Sequence, residues 1–515
     1  MTGQRLGKLF ENTAMGIPLA LDLRTGLVCE GRLTTYEPLF RLYMSELQHP
    51  AQIRRLIGNT KEPGALVQHI RNCPFSVLLL DEIEKGAPSF LVVLLTVLDE
   101  GRLSDALGRT TDFRNTTIAI ISKAITHGNA RRIRPRRQPG ALCGPRSIAM
   151  RIIICGGGVI GAAIAYALTE RGFAPTVVEA VAPACAASGK SGGFLALDWC
   201  DGSAMSALAR RSFQLHAELG KRFGDRTGYR RMDTLAIVAT QTPSDLRDYA
   251  RAPAPEWLDG QCAVHGQLGT PASTAQVHPK LFTQVLLDEA ARRGAELVIG
   301  RVDGIHHDGG KVNSITVDRQ RMNADAVVVA MGPWSALATA WLPVPSVMGE
   351  KGASIVLEPS RPIGAHALFG EFVDAQGEHH SPEVFPRPDG QVYLCGAPER
   401  ASLPENPSSI EPGQPAIDKL VTIANALSSG LKAATLVQAQ ACYRPIVHDA
   451  LPVMGRVDGI DGAYIATAHN CWGILNAPTS GEAMAELITN GHTEHVDLGP
   501  FAPGRLLQRR AAAWR

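Results

Sequence analysis

The 515-residue sequence is most readily bounded by what it lacks. It has no run of about 18 consecutive apolar residues, so it predicts no membrane-spanning helix. Its ten cysteines include no Cys-x-x-Cys pair. That spacing reads as reduced thiols rather than a disulfide framework, and it predicts no metal site. Charge is nearly balanced, with 51 Lys and Arg against 49 Asp and Glu, which excludes a dedicated nucleic-acid binder. The first residues lack the basic-then-apolar pattern of a secretory leader, so a cytoplasmic protein is expected, with an organelle matrix also compatible. Hydrophobic content of 45% and charged content of 19% describe an ordinary globular composition.

What is present begins at residue 151. Arg151-Ile-Ile-Ile-Cys-Gly156-Gly-Gly158-Val159-Ile160-Gly161 reads as a buried parallel strand, a glycine turn and a helix over 162–171. The spacing Gly156-x-Gly158-x-x-Gly161 permits a tight turn and the approach of a pyrophosphate to main-chain N–H groups. It also permits close packing of helix on strand. A second strand, 174–179, ends at Glu179, placed to bind a ribose hydroxyl. A further small-residue cluster holds Ala187, Ser188, Ser191, Gly192 and Gly193, where the chain could lie flat against a cofactor. His278-Pro-Lys-Leu-Phe opens an amphipathic helix to Arg293, and Val302 follows the next strand. The apolar run 324–330 ends at Ala330, Gly332 and Trp334, the kind of strand end where a parallel sheet meets its ligand. The Pro388-Asp-Gly390 turn predicts a hairpin, with Arg387 either meeting a substrate or lying at the surface, the surface role being the expectation.

Together these residues resemble the D-amino-acid oxidase superfamily of FAD enzymes, which includes glycine and sarcosine oxidases. The resemblance spans about residues 150–495. It is most specific in Cys442-Tyr-Arg444-Pro-Ile-Val-His-Asp449-Ala-Leu-Pro452-Val-Met-Gly455 and in His469-Asn-Cys-Trp472-Gly473-Ile474-Leu475-Asn-Ala-Pro478-Thr-Ser-Gly481. The fold so implied is α/β (α+β overall), a glutathione-reductase-like FAD-binding Rossmann domain with an antiparallel-sheet substrate domain. The flavin part is expected from 150–216, 278–347 and 435–495, and the substrate part mainly from 217–277 and 348–434. The resemblance implies FAD as cofactor and the oxidation of an amino acid or secondary amine. A hydride passes to flavin N5, the imine is hydrolysed, and oxygen or an electron carrier takes the electrons. Orientation does most of the work in such chemistry, so few titratable groups are needed.

Arg444 is the expected holder of a substrate carboxylate, because a guanidinium fork suits bidentate pairing. A salt bridge to Asp449 or another acid is the competing role. Trp472 stands where some relatives carry a second arginine, and it would narrow the pocket or stack on the substrate. Cys442 matches the cysteine that bonds flavin covalently in the sarcosine oxidase branch; a buried, unreactive thiol is the other reading. Gly473, Ile474 and Leu475 are expected at the flavin's pyrimidine edge, with a helix beginning near Pro478 aimed at the flavin carbonyl. His469 reads as a packed turn residue.

Residues 1–149 look joined on. Residues 74–85 read as an apolar strand ending in Asp81 and Glu82, as in nucleotide-hydrolysing P-loop proteins. With Val-Leu-Asp99-Glu-Gly-Arg-Leu103 and Gly108-Arg-Thr-Thr-Asp112-Phe-Arg-Asn-Thr116, the stretch resembles the second ATPase module of Clp-type AAA+ unfoldases over about 44–125. The phosphate loop is missing, since Gly3-Gln-Arg-Leu-Gly7-Lys8-Leu9 is one residue short and lacks the magnesium-binding hydroxyl. Lys123 replaces a sensor asparagine. A truncated fragment that does not bind ATP is therefore expected. Residues 1–43 stay unassigned, and 126–149 form a basic Pro/Gly linker around Arg131–Arg137. Three other functions remain open at this point: an FAD dehydrogenase of a 2-hydroxy acid or with a protein acceptor, a chaperone-related ATPase, and an adaptor role in which residues 1–149 dock the enzyme to a Clp-type partner.

Overall fold

The computed structural model describes residues 150–242, Leu246 and 252–507, and within 1–149 only short segments between Leu19 and Ile121. Two compact units divide the chain, 1–143 and 144–515.

In the first unit the strand Val77–Asp81 pairs in parallel with Leu39–Tyr43 on one side and Thr117–Ile121 on the other. Leu19–Asp22 then pairs antiparallel with Thr117–Ile121, and Leu27–Glu30 closes a five-stranded sheet. Asp81 stands at the C-terminal end of its strand. The segment 3–9, Glu82, Lys123 and the basic linker lie outside the described residues.

The second unit is built on a six-stranded sheet in the order Glu296–Ile299, Thr176–Glu179, Ile152–Cys155, Ala326–Val329, Ala463–Thr467, Val453–Arg456. The first five are parallel and the last antiparallel. Strands buried on both faces read as continuous apolar runs, which is why 152–155 and 326–329 show no alternation. Ile152, Ile154, Val177 and Val328 pack under the helices Val159–Glu170, Ser206–Phe223, Pro279–Arg292 and Gly473–Asn490. Ile153, Cys155, Val178, Val327 and Val329 face the opposite layer, with the small sheet of residues 302–323.

An eight-stranded sheet carries the rest. Its main order is Cys262–Gly269, Asp233–Thr240, His366–Val373, Glu383–Pro386, Val392–Glu399, Met348–Glu358, Thr435–Ile446. It is mixed rather than purely antiparallel, since Asp233–Thr240 runs parallel to His366–Val373. The helix Gln414–Leu427 covers one face through Leu420, Ile423 and Leu427, against Ile355, Leu368, Val384 and Leu394. The other face, by the period-two alternation of strands, turns toward the cavity described below. No helix among the described residues is long and apolar enough to cross a membrane.

Candidate active site

A cavity of about 870 Å3 opens where the six-stranded sheet's carboxyl ends meet the free face of the large sheet. The glycine turn forms one end. Gly156 sits at φ +115°, and a Cβ there would come within 2.3 Å of the Ala330 carbonyl oxygen. A Cβ on Gly161 would lie 2.0 Å from the Gly156 carbonyl oxygen, so the third glycine sets the packing of the turn on its helix. Glu179 binds the turn from the next strand. Its carboxylate accepts from Gly157 N at 2.7 Å and from Val181 N at 3.0 Å, leaving lone pairs for a further donor. Ser188 joins the second small-residue cluster to the first helix, its hydroxyl accepting from Val159 N at 2.8 Å.

Of the residues singled out in the sequence, Gly156, Gly158, Val159, Ile160, Glu179, Ala187, Ser188, Ser191, Gly192 and Gly193 line this one cavity. So do Val302, Ala330, Gly332, Trp334, Cys442, Arg444, Trp472, Gly473 and Ile474. Gly161 and Leu475 do not. Gly161 is closed off by the turn it packs against, and Leu475 is buried in the helix-side core.

The helix expected to begin near Pro478 begins instead at Gly473, with Pro478 inside it. A proline at that point removes the donor that Ile474 O would otherwise receive. His216 from the helix Ser206–Phe223 replaces it, with Nε2 at 2.9 Å from Ile474 O and 3.1 Å from Leu475 O. Thr479 N donates to Ser212 Oγ at 3.0 Å. One turn of a distant helix thus repairs the break and lets the helix reach the cavity.

Arg444 donates through Nη2 to Glu350 at 2.7 Å, while Asp449 pairs with Arg505 at 2.9 Å. Guanidinium and carboxylate are both about two-fifths exposed, at 41% and 44%, so the pair stays within reach of a ligand. Arg387 is not at the surface. It is 7% exposed, its guanidinium lies over the Tyr393 ring, and Nη2 donates to Ser191 O at 3.4 Å. The turn is the five-residue loop 387–391, tight enough to fold the arginine under the hairpin.

Burial pushes the Cys442 thiol up from its ordinary range, which disfavours the thiolate needed for attack. Burial likewise lowers His469 to about 3. Its Nε2 lies 2.9 Å from Ser480 Oγ, so the ring is neutral and packed. Two acid–histidine groups, Asp374/Glu378/His380 and Glu482/Glu486/His495, cluster their ligand atoms; Asp374 and Glu486 are already engaged by protein donors.

The cavity suits FAD on its own terms. Its glycine turn lines one end without side chains, and Ser191 Oγ and Asn470 Oδ1 on its wall are buried without a hydrogen-bond partner. Buried polar groups are normally satisfied, so an orphaned pair on a cavity wall marks where a polar ligand sits.

Several lining residues carried no sequence signal: Trp199, Phe369, Glu383, Phe385, Tyr393 and Glu350. Trp199 stacks edge-on against Phe369 at 4.8 Å and faces Trp472 at 6.4 Å. The only hint in the sequence is the alternation Glu383-Val-Phe385 before the Pro-Asp-Gly turn.

Comparison with known proteins gives the same division of the chain. The family model described as FAD dependent oxidoreductase matches residues 151–487, and one described as AAA domain (Cdc48 subfamily) matches 17–138. An oxidoreductase of Schizosaccharomyces pombe is 29% identical over 382 residues, spanning 68% of this chain and 97% of the relative. The chaperone ClpB of Meiothermus ruber is 48% identical over 94 residues, 17% of this chain and 11% of the chaperone. The N-terminal match thus spans about a tenth of that relative's length. The crystal structure of glycine oxidase from Geobacillus kaustophilus aligns with a TM-score of 0.56 at 22% identity, over 68% of this chain and 97% of that one.

Proposed function

Because this chain belongs to the FAD dependent oxidoreductase family, we propose that it oxidises an amino acid or secondary amine in the cavity between its two sheets. The observation that carries the reading is the convergence of three features on that cavity: the Gly156–Gly158 turn, the N-terminal end of the helix Gly473–Asn490, and Arg444. FAD, when bound, supplies the two-electron acceptor for the reaction.

The protein's part is binding and orientation. The side-chain-free turn Gly156–Gly158 would let the pyrophosphate approach the start of the helix Val159–Glu170, and Glu179 would take the ribose. Ser188, Ser191, Gly192 and Gly193, with Val302, Ala330, Gly332 and Trp334, line the cavity and would hold the rest of the cofactor. The N-terminal end of the helix Gly473–Asn490 faces the cavity and would bring its dipole to the edge of a bound flavin. Arg444 keeps N–H groups beyond the one that Glu350 engages, enough to hold a carboxylate. Trp472 narrows the entrance, and neutral His469 fixes the loop without acting as a base.

The test is the visible spectrum of the purified protein and of its acid-precipitated pellet, followed by anaerobic reduction with a panel of amines, amino acids and 2-hydroxy acids. A flavin spectrum with a colourless pellet, and bleaching by an amine or amino acid, is expected. Bleaching by 2-hydroxy acids alone would replace this reading with a hydroxy-acid dehydrogenase. A colourless protein that takes up no added FAD would remove it.

A further inference from the structure

Glu383 stands where packing alone does not call for a carboxylate. On the large sheet, directly opposed residues of neighbouring strands share a face. Phe369 opposes Glu383, Glu383 opposes Cys395, and Phe385 opposes Tyr393, and all five line the cavity. The intervening Leu368, Val384 and Leu394 point the other way, into the core beneath Gln414–Leu427. The carboxyl shares its face of the sheet with a cluster of rings: Phe369, directly opposite it, lies 4.8 Å from Trp199 and 5.4 Å from Phe385. Among the described residues its one hydrogen-bond donor is the Cys395 thiol at 3.6 Å, a weak donor. The fold's nearby cation, the Arg444 guanidinium, eases the charge but is hydrogen-bonded to Glu350, so a carboxylate so placed gains from a further cation brought by a ligand.

Resting on the amine-oxidising reading above, we propose that Glu383 accepts the proton of the incoming substrate ammonium, and that the rings around it select amines and amino acids bearing an aromatic or bulky apolar group. An ammonium ion arriving along the aromatic wall is attracted by the ring faces that line the cavity and meets the carboxylate at the end of the same wall. The N–H bond of the ammonium breaks, its electron pair stays on nitrogen, and an O–H bond forms on Glu383. The neutral amine that results is the form able to give up two electrons. Burial also raises the proton affinity of Glu383, which makes it the better acceptor.

The test uses the full chain loaded with FAD, mixed anaerobically with N-methylbenzylamine or with sarcosine over the neutral-to-alkaline range. Flavin bleaching is followed for wild type, Glu383→Gln and Glu383→Asp, and binding of benzyltrimethylammonium is read by tryptophan fluorescence. Wild type is expected to prefer N-methylbenzylamine. Glu383→Gln is expected to be roughly 100-fold slower near neutrality and to bind the quaternary ammonium more weakly. Its rate should climb about tenfold per pH unit with the free amine in solution, while Glu383→Asp recovers part of the loss. Should Glu383→Gln lose its flavin spectrum, Glu383→Asp and the binding assay carry the same comparison. An unchanged rate and pH profile in Glu383→Gln overturns the proton-acceptor role, and a preference for sarcosine overturns the aromatic selection. Bleaching by 2-hydroxy acids but by no amine overturns the amine reading itself, and this inference with it.

Discussion

His216 Nε2 donates to the main-chain carbonyl of Ile474 at 2.9 Å, across 258 residues of sequence, and so supplies the hydrogen bond that Pro478 withholds. A carbonyl can only accept, so Nε2 carries the proton, and Nδ1 is left buried without a partner. The consequence is a helix that starts five residues before its proline and brings Gly473 and Ile474 to the cavity.

Replacing His216 with Ala should therefore destabilise the second unit by about 2–4 kcal/mol, from a lost buried hydrogen bond plus the space left against Phe282. In a Pro478→Ala background, residue 478 regains its N–H and the penalty should shrink by about 1 kcal/mol. Denaturant unfolding of the four proteins gives the coupling directly. Equal penalties in both backgrounds would mean that His216 acts through packing alone.

The same histidine makes the fold sensitive to acid. Burial lowers His216 to about 4 and His469 to about 3, from 6.5. The unfolded chain binds these protons first, so the stability they carry is complete above about pH 6.5. It is lost as pH falls toward 4, on the order of 1.4 kcal/mol per unit for each ring. Thermal melts should show a midpoint that drops across this window, and His216→Gln should flatten the slope by about half.

Gly158 separates cofactor binding from folding. It is the N-cap of the helix Val159–Glu170 at φ −75° and ψ 178°, a backbone any residue adopts. An added Cβ would meet only Ser188 Oγ, at 3.1 Å. Gly158→Ala is expected to keep a near-native melting midpoint while weakening FAD binding about tenfold or more, the equivalent of one charge-assisted hydrogen bond. Gly161→Ala, whose Cβ would strike the Gly156 carbonyl at 2.0 Å, should instead compromise folding. Fluorescence titration of the apoprotein with FAD distinguishes the two.

How far the sequence discloses this site depends on how local each part is. The turn at 156–161 and the acid at 179 are legible because one βαβ unit contains the whole geometric requirement. The wall formed by Trp199, Phe369, Glu383 and Trp472 is not, because strand register across the large sheet assembles it. Pro478 misleads as a helix start for the same reason, since His216 and Ser212 sit more than 250 residues away. Arg387 misleads because a Pro-Asp-Gly turn is ordinarily solvent-facing, whereas here its first residue folds back over Tyr393.

Arg444 and Glu350 give the sharpest test of how a carboxylate is held. As an ion pair about two-fifths exposed at both ends, it contributes at most ~1 kcal/mol to stability, so its charge matters more to binding than to folding. Glu350→Gln removes the internal competitor for the guanidinium, and KM for an α-amino acid should fall several-fold with the melting midpoint nearly unchanged. Arg444→Gln should raise the same KM about tenfold or more, the loss of one bidentate contact, while a carboxylate-free amine responds little to either change. A parallel shift of both substrate types would assign Arg444 to the architecture of the pocket wall rather than to the substrate.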